Sequence, residues 1–306
     1  MIVLNALFPI FALLVLGAVL KRVGLTDAAF LKKADKLIYT IFFPLLLFWK
    51  IGGAEPAGDD QWLFVGASLL TFCIMFVLST LFIIHGPVTP YEAGSFSQSC
   101  YRFNTYIGVA VVINSLGEAG IAYFGVLIGI AIPVINVFAV SLLIWFGQTA
   151  AGGTSRLPLV GRALVANPLI IGCFLGIGYS RMVGSFPLFL DNTLQLAAMV
   201  TLPLALLSIG GSLSFSGLRA HLRLATVAAA FKLVLLPATA AVLYALFGLE
   251  GVARQTGLIF FCLPASTAIY VLSSQLRSDT ELASAAIVIS TIFSFVSLSV
   301  VLLAAG

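Results

Sequence analysis

Long apolar runs recur along the whole chain, and only short polar connections separate them. A helix needs roughly 20 apolar residues to cross the hydrocarbon core of a bilayer, and about ten runs reach that length. They lie at roughly 2–20, 35–53, 62–84, 91–116, 120–147, 160–180, 190–214, 222–248, 252–276 and 281–304. The pattern predicts an all-α polytopic membrane protein with about ten transmembrane helices and a lipid bilayer as its surroundings.

Composition excludes the other broad classes of protein. Of the 306 residues, 61% are hydrophobic and 8% are charged, whereas a soluble domain carries about 25% charged residues. A soluble globule, a disordered chain and a nucleic-acid-binding protein are therefore excluded. The four cysteines lie inside apolar runs without the spacing of a metal site, so we expect them to be packing residues. The sequence shows neither a pair of catalytic carboxylates nor a metal-binding cluster, so we do not expect an enzyme.

Lysine and arginine fall mainly in alternate connections, which predicts the orientation. Ten lie in one set of connections and three in the other. The larger set is Lys21, Arg22, Lys32, Lys33, Lys36, Arg156, Arg162, Arg219, Arg223 and Arg277, and the smaller set is Lys50, Arg181 and Arg254. Because positive residues stay in the cytoplasm, we expect a multi-pass protein of the cell (inner) membrane with both termini outside the cytoplasm.

The two halves of the chain share landmarks under a shift of 159 residues. The coinciding pairs are Pro9 with Pro168, Gly17 with Gly176, Pro44 with Pro203, and Gly52 with Gly211. Chance is the alternative, but two prolines and two glycines in register favour a duplication. Residues 1–150 would form a first repeat of five helices and residues 151–306 a second. Five is odd, so the second repeat is inverted, as in secondary transporters.

Polar residues interrupt the fourth and ninth predicted helices at matching places. The first interruption runs from Ser97 to Gly108 and the second from Cys262 to Thr267, and the shift places Thr105 on Pro264. In transporters, helices that break near the midplane form the substrate site. We therefore expect broken, crossing fourth and ninth helices. The alternative is that these residues make ordinary interhelical hydrogen bonds and that Pro264 only kinks its helix.

Two basic residues lie inside predicted spans. Arg102 is near the centre of the fourth span, where a charge costs about 2.5–3.5 kcal/mol, and it either attracts an anion or clamps backbone carbonyls. Lys232 either lines the cavity or extends its amine to one membrane face. All eleven Asp and Glu residues lie at span ends or in connections, so the site favours an anionic substrate.

These patterns select the candidate site residues. The candidates for substrate binding are Arg102, Asn104, Thr105, Tyr106, Pro264, Ser266, Thr267 and Lys232. Asn104, Thr105, Ser266 and Gln275 are candidate ligands for a coupling ion. No cofactor is expected, and whether sodium or a proton is the coupling ion stays open. Asn136 either faces the bundle or lines the cavity, and the sequence leaves open whether two copies pair as a homodimer.

Five segments stand in a characteristic order and spacing. They are Ile41 to Phe48, Ala166 to Ile170, Leu206 to Leu213, Lys232 to Pro237, and Leu263 to Ala268 with Gln275 beyond. On these segments the chain resembles the auxin efflux carrier family, the bacterial relatives of the plant PIN-type exporters, over essentially its whole length. The wider group includes the bile acid:sodium symporters.

The resemblance implies an elevator-type movement. From the intramembrane charges we expect a carrier for a small organic anion, most simply a carboxylate, and the membrane potential favours its export. A scaffold of roughly 2–53 and 160–214 would face a transport domain of roughly 62–147 and 222–304. A sodium-coupled symporter like the bile acid transporters is the alternative. The family proline two residues after Gly108 is absent, so we expect a shallower break in the fourth helix.

Overall fold

The computed structural model describes residues 2–53, 61–146, 168–213, 218–275 and 278–305. Their regular elements are all helical, as predicted for an all-α protein. The α-helices are α1 (Ile2–Arg22), α2 (Ala28–Leu37), α3 (Phe43–Gly52), α4 (Gln61–His85), α5 (Pro90–Tyr101), α6 (Thr105–Phe146), α7 (Pro168–Met182), α8 (Leu188–Ser212), α9 (Leu218–Ala230), α10 (Leu236–Leu246), α11 (Gly251–Phe261), α12 (Ala268–Gln275) and α13 (Thr280–Ala305).

Five helical stretches of the described chain are long and apolar enough to cross a membrane. They are Gln61–His85, Pro90–Ala139, Leu188–Ser212, Leu218–Leu246 and Thr280–Ala304. These stretches agree with a polytopic membrane protein. The predicted central connection at 148–160 and the start of the predicted sixth span at 160–167 lie outside the described residues.

Glycines bring two pairs of helices into close contact. A Cβ atom on Gly17 of α1 would overlap the backbone of Leu207 in α8, and one on Gly210 of α8 would overlap the backbone of Leu14. On α7, a Cβ atom at Gly176 would lie 3.2 Å from the carbonyl oxygen of Phe48 in α3. Small residues allow such backbone approach where lipid supplies no hydrophobic drive. Helices α1 with α8, and α3 with α7, therefore form tightly packed pairs.

Two prolines lie just after widened helical turns. A π-helical segment at Ile38–Phe42 precedes Pro44, and a second at Phe231–Leu235 precedes Pro237. The proline ring lacks an N–H and collides with the carbonyl four residues earlier, so a regular α-turn is disfavoured there. The wider π turn keeps the helix continuous, and such turns are frequent at functional sites. The second one carries Lys232.

The chain leaves helical geometry at both predicted interruptions. Residues 102–104 separate α5 from α6, and residues 262–267 separate α11 from α12. The first interruption is therefore the shorter one. Helix α6 also contains one non-helical residue, Gly117, with φ 63° and ψ −146°. The sequence placed a connection between two spans at this glycine.

Charged and polar contacts join neighbouring connections at the helix ends. Lys50 Nζ lies 3.4 Å from Glu118 Oε1, and the adjacent Trp49 Nε1 donates to Asp191 Oδ1 at 2.7 Å. Elsewhere, His221 Nε2 lies 3.7 Å from Asp279 Oδ2. Each contact joins connections that the lysine and arginine count places on the same side of the membrane.

Candidate functional site

The first interruption begins where the backbone extends after α5. Arg102 follows the last helical residue, Tyr101, with φ −65° and ψ 140°. Two residues later, Asn104 Oδ1 accepts hydrogen bonds from the N–H groups of Tyr106 at 3.1 Å and Ile107 at 3.2 Å. Asparagine is among the preferred residues at a helix N-cap because its side chain satisfies free N–H groups in this way. Asn104 is therefore the N-cap of α6, which begins at Thr105.

Arg102 is buried at this break, with 7% of its surface exposed. Its Nη1 donates to Gln98 Oε1 at 2.8 Å, and its Nη2 donates to Asn136 Oδ1. The acceptors are therefore side-chain amides and not the backbone carbonyls that a structural clamp would use. The ion pairs among the described residues do not include Arg102. Its positive charge is solvated by neutral groups and is not cancelled by an acid.

The second interruption is stabilised mainly by another helix. Ser290 Oγ of α13 accepts from the N–H of Ala265 at 3.0 Å, and Ser297 Oγ donates to the carbonyl of Cys262 at 3.1 Å. Ser266 Oγ accepts from the N–H of Ala268, the first residue of α12, at 3.2 Å. Because buried backbone groups without partners are costly, these hydroxyls stabilise the non-helical segment.

Lys232 lies at the second interruption. Its side chain is 0% exposed, and its Nζ donates to the carbonyl oxygen of Phe261 at 3.1 Å. The alternative in which the amine extends to a membrane face is therefore wrong, because the amine points into the protein. Phe261 is the last residue of α11, so the ammonium group covers the end of a half-helix.

The two interruptions touch each other. The N–H of Asn104 donates to the carbonyl of Pro264 at 2.9 Å. Beside this contact, the rings of Phe103 and Phe260 have centroids 4.1 Å apart. The structure thus brings together the two segments that the sequence paired under the shift. Aromatic rings pack around them and exclude water from that side.

Only part of this region reaches the surface. Arg102, Asn104 and Pro264 are buried, whereas four candidate residues are half-buried. Those four are Thr105, Tyr106, Ser266 and Thr267. They lie at or beside the first residues of α6 and α12, and the N-terminal end of a helix carries a partial positive charge. The accessible groups of the crossing are therefore hydroxyls and helix N-termini.

Tyr106 also connects the crossing to α3. Its ring packs edge-on against Phe43, with centroids 4.6 Å apart. Phe43 itself is fully buried. The half-buried face of the crossing thus lies next to the helix that packs closely on α7.

Two of the four candidate ion ligands already accept hydrogen bonds from the helix that follows them. The oxygens of Asn104 and Ser266 each accept from N–H groups at the start of the helix that follows them. The side chain of Gln275 lies outside the described residues. Sodium binding by these residues stays a prediction.

Four further residues hold the site and were not among the sequence candidates. They are Gln98, Asn136, Ser290 and Ser297. The sequence left Asn136 between facing the bundle and lining the cavity, and the structure places its amide oxygen against Arg102. A signal for the serines exists, because Ser290, Ser294 and Ser297 follow one helical face at spacings of four and three.

Comparison with known proteins gives consistent results. Residues 154–302 match the family model described as membrane transport protein. A protein of Rhizobium meliloti (strain 1021) named "Putative malonate transporter" is 25% identical over 303 residues, covering 94% of this chain and 90% of that protein. An uncharacterized transporter of Methanocaldococcus jannaschii is 24% identical over 303 residues, covering 96% of each chain. The family match covers just under half of the chain, and it agrees with the resemblance to the auxin efflux carriers.

Proposed function

We propose that the protein is a secondary carrier for a small organic anion with one or more carboxylates. The observation that supports this most is the charge arrangement at the crossing. Its accessible groups are the N-terminal ends of α6 and α12, and the buried cations Arg102 and Lys232 lie behind them. Helix N-termini that point at an anionic group are a recurring device of transporters.

The Rhizobium relative suggests the size of the substrate. Its printed name is "Putative malonate transporter", and malonate is a short dicarboxylate. Malonate is therefore the first probe for this chain, with other short mono- and dicarboxylates as the comparison set.

An inverted repeat of five plus five helices is the architecture we propose. The close contact of Gly17 with Leu207 has an equivalent under the 159-residue shift, the contact of Gly176 with Phe48. Thr201 Oγ1 also donates to the carbonyl of Phe42 at 3.3 Å, and these two residues are 159 positions apart. A residue that contacts its own equivalent lies on the axis relating two copies. These contacts support the duplication independently of sequence matches.

The mechanism we propose is an elevator. The glycine-mediated pairs α1 with α8 and α3 with α7 would form the scaffold, roughly 2–53 and 160–214. The remaining helices, roughly 62–147 and 222–304, would carry the crossing as a unit. The close backbone packing within α1 with α8 and within α3 with α7 favours these four helices as the rigid part. If either pair slid, larger side chains would meet the backbone where glycine now allows close approach.

Export is the direction we propose, in a cell membrane with both termini outside the cytoplasm. At an inside-negative potential of about 100 mV, a monoanion that leaves the cell gains ~2.3 kcal/mol. That energy supports a gradient of about 50-fold without any coupling ion. The contacts between connections expected on the same side agree with the alternation of sides, and the lysine and arginine count supports the orientation.

Flux in proteoliposomes tests the function. Vesicles loaded with radiolabelled malonate and clamped by valinomycin and potassium should release it faster when the outside is positive. Arg102→Ala should lower this flux by at least about tenfold, because the site loses a buried charge worth more than one hydrogen bond. Lys50→Ala is the matched control and should change little, since Lys50 pairs with Glu118 away from the crossing.

The same assay separates the alternatives. Release that is indifferent to both voltage and Arg102→Ala, across the whole carboxylate panel, would overturn the anion carrier. Replacing sodium by choline on both sides should leave the flux unchanged. A flux that collapses without sodium would instead support the symporter resembling the bile acid transporters.

A further inference from the structure

Lys232 supplies a hydrogen bond at the C-terminal end of α11. Each of the last carbonyl groups of this helix accepts a hydrogen bond. The N–H of Cys262 bonds to the carbonyls of Leu258 and Ile259, each at 3.1 Å, and the N–H of Leu263 bonds to that of Phe260 at 3.4 Å. The carbonyl of Phe261 accepts from Lys232 Nζ. The lysine thus completes the hydrogen bonding of the C-terminal end of this half-helix.

A cation is well suited to this position. The C-terminal end of a helix carries about half a negative charge, and here it ends inside the protein, where water cannot solvate it. Lys232 is fully buried, and the titratable groups that interact with it are the thiols of Cys100 and Cys262. The ion pairs of the described residues do not include it. The helix end is therefore the main negative partner of the ammonium group.

The two interruptions take their cations from different places in the chain. Under the 159-residue shift, Arg102 corresponds to Phe261, and Lys232 corresponds to Cys73. The first repeat thus carries a cation on the residue that follows its half-helix. The second repeat has an apolar residue at that position and receives its cation from the π-helical segment of another helix.

We infer that Lys232 is a tethered cation that occupies, at the end of α11, the place a free monovalent cation would otherwise fill. It is a positioning residue that fixes the second interruption, and it makes a mobile ion unnecessary there. The inference rests on the proposed carrier function and deepens it, because it assigns the group that stabilises the second interruption of the carrier.

Chemical rescue tests the inference. Lys232→Ala removes the ammonium group and leaves space for a small ion, whereas Lys232→Met removes the charge and fills the space. The thermal melting temperature of the purified protein in detergent would be measured in methylammonium, sodium or choline chloride at equal ionic strength. The wild-type melting temperature should be the same in all three salts.

The two variants should separate charge from volume. The alanine variant should melt lower than wild type in choline and regain several degrees in methylammonium, because a ligand that binds only the folded state stabilises it. Sodium should restore part of the loss. The methionine variant should melt lower in all three salts alike, since no space remains for an ion.

Several outcomes would overturn the inference. They are an alanine variant that melts identically in the three salts, a methionine variant rescued as well as the alanine one, and a wild-type protein stabilised by sodium. If the alanine variant does not fold in choline, it is purified in methylammonium instead. A monodisperse folded protein in that salt supports the inference, and aggregation in both salts refutes it.

This test uses no transported substrate. Absence of malonate flux would therefore count against the proposed function while leaving the rescue experiment intact. Conversely, a voltage-driven flux without any cation rescue would keep the carrier and remove the tethered cation.

Discussion

The two interruptions of the bundle are built differently although they occupy equivalent places. The first spans residues 102–104 and is stabilised largely by α5 and α6, which flank it: Gln98 and Asn136 solvate Arg102, and Asn104 caps the next helix. The second spans residues 262–267 and depends on other helices. Its charge comes from Lys232, and two of its hydroxyl contacts come from α13.

This difference shows what an interrupted helix inside a membrane requires. Each break exposes backbone groups and one helix end with negative character, and each must receive hydrogen-bond partners and a positive charge. The residues that supply these hydrogen bonds and this charge differ between the two interruptions. A short break can draw on the helices flanking it, whereas a longer break containing a proline needs neighbouring helices to supply them.

The largest stability effect is expected at the first break, from Asn136→Leu. This change leaves an N–H of the buried Arg102 without its acceptor, and hydrogen bonds to charged groups contribute about 1.5–3 kcal/mol. We expect a loss of about 2–3 kcal/mol in the free energy of unfolding, measured by denaturant titration in detergent micelles.

Asn114→Leu is the matched control for this change. Asn114 lies in the part of α6 before Gly117, and its side chain is exposed, so its replacement should leave stability within about 0.5 kcal/mol of wild type. Equal losses for the two variants would show that the amide does not solvate Arg102.

A smaller effect is expected at the second break, from Ser290→Ala. The buried N–H of Ala265 would lose its acceptor, which costs about 1–2 kcal/mol. Ser299→Ala is the control, because Ser299 Oγ bonds only to Phe295 of its own helix. If both serine variants unfold at the same denaturant concentration, the second break does not depend on α13.

The positions of both interruptions could be predicted from the sequence. The polar run before Gly108 and the Pro264 segment weaken helices locally, and their equivalence under the shift needs no coordinates. Asn104 and Ser266 were identified as candidate site residues because they lie in these polar patches, and the structure shows that each accepts hydrogen bonds from the start of the next helix. Local rules therefore predict where the chain breaks.

The partners that hold the interruptions could not be predicted. Asn136 is 34 residues from Arg102, and Lys232 is 29 residues from Phe261. Such contacts depend on how whole helices pack and rotate, which the apolar periodicity of a membrane span constrains weakly. The shift does contain one indication, because it places Arg102 on Phe261. A cation at the second interruption therefore has to come from another position in the chain.

The smallest stability effect, and the sharpest separation of structure from transport, is expected at Asn104. Asn104→Ala removes the cap of α6 and should cost about 1 kcal/mol, seen as a lower denaturation midpoint. Asn104→Asp keeps an oxygen that caps the helix, so its stability should stay near wild type. Its new negative charge beside the helix N-terminus should nevertheless slow malonate release. An aspartate variant with full flux would mean that the anion does not approach the first break, and the comparison of the two breaks would then concern folding alone.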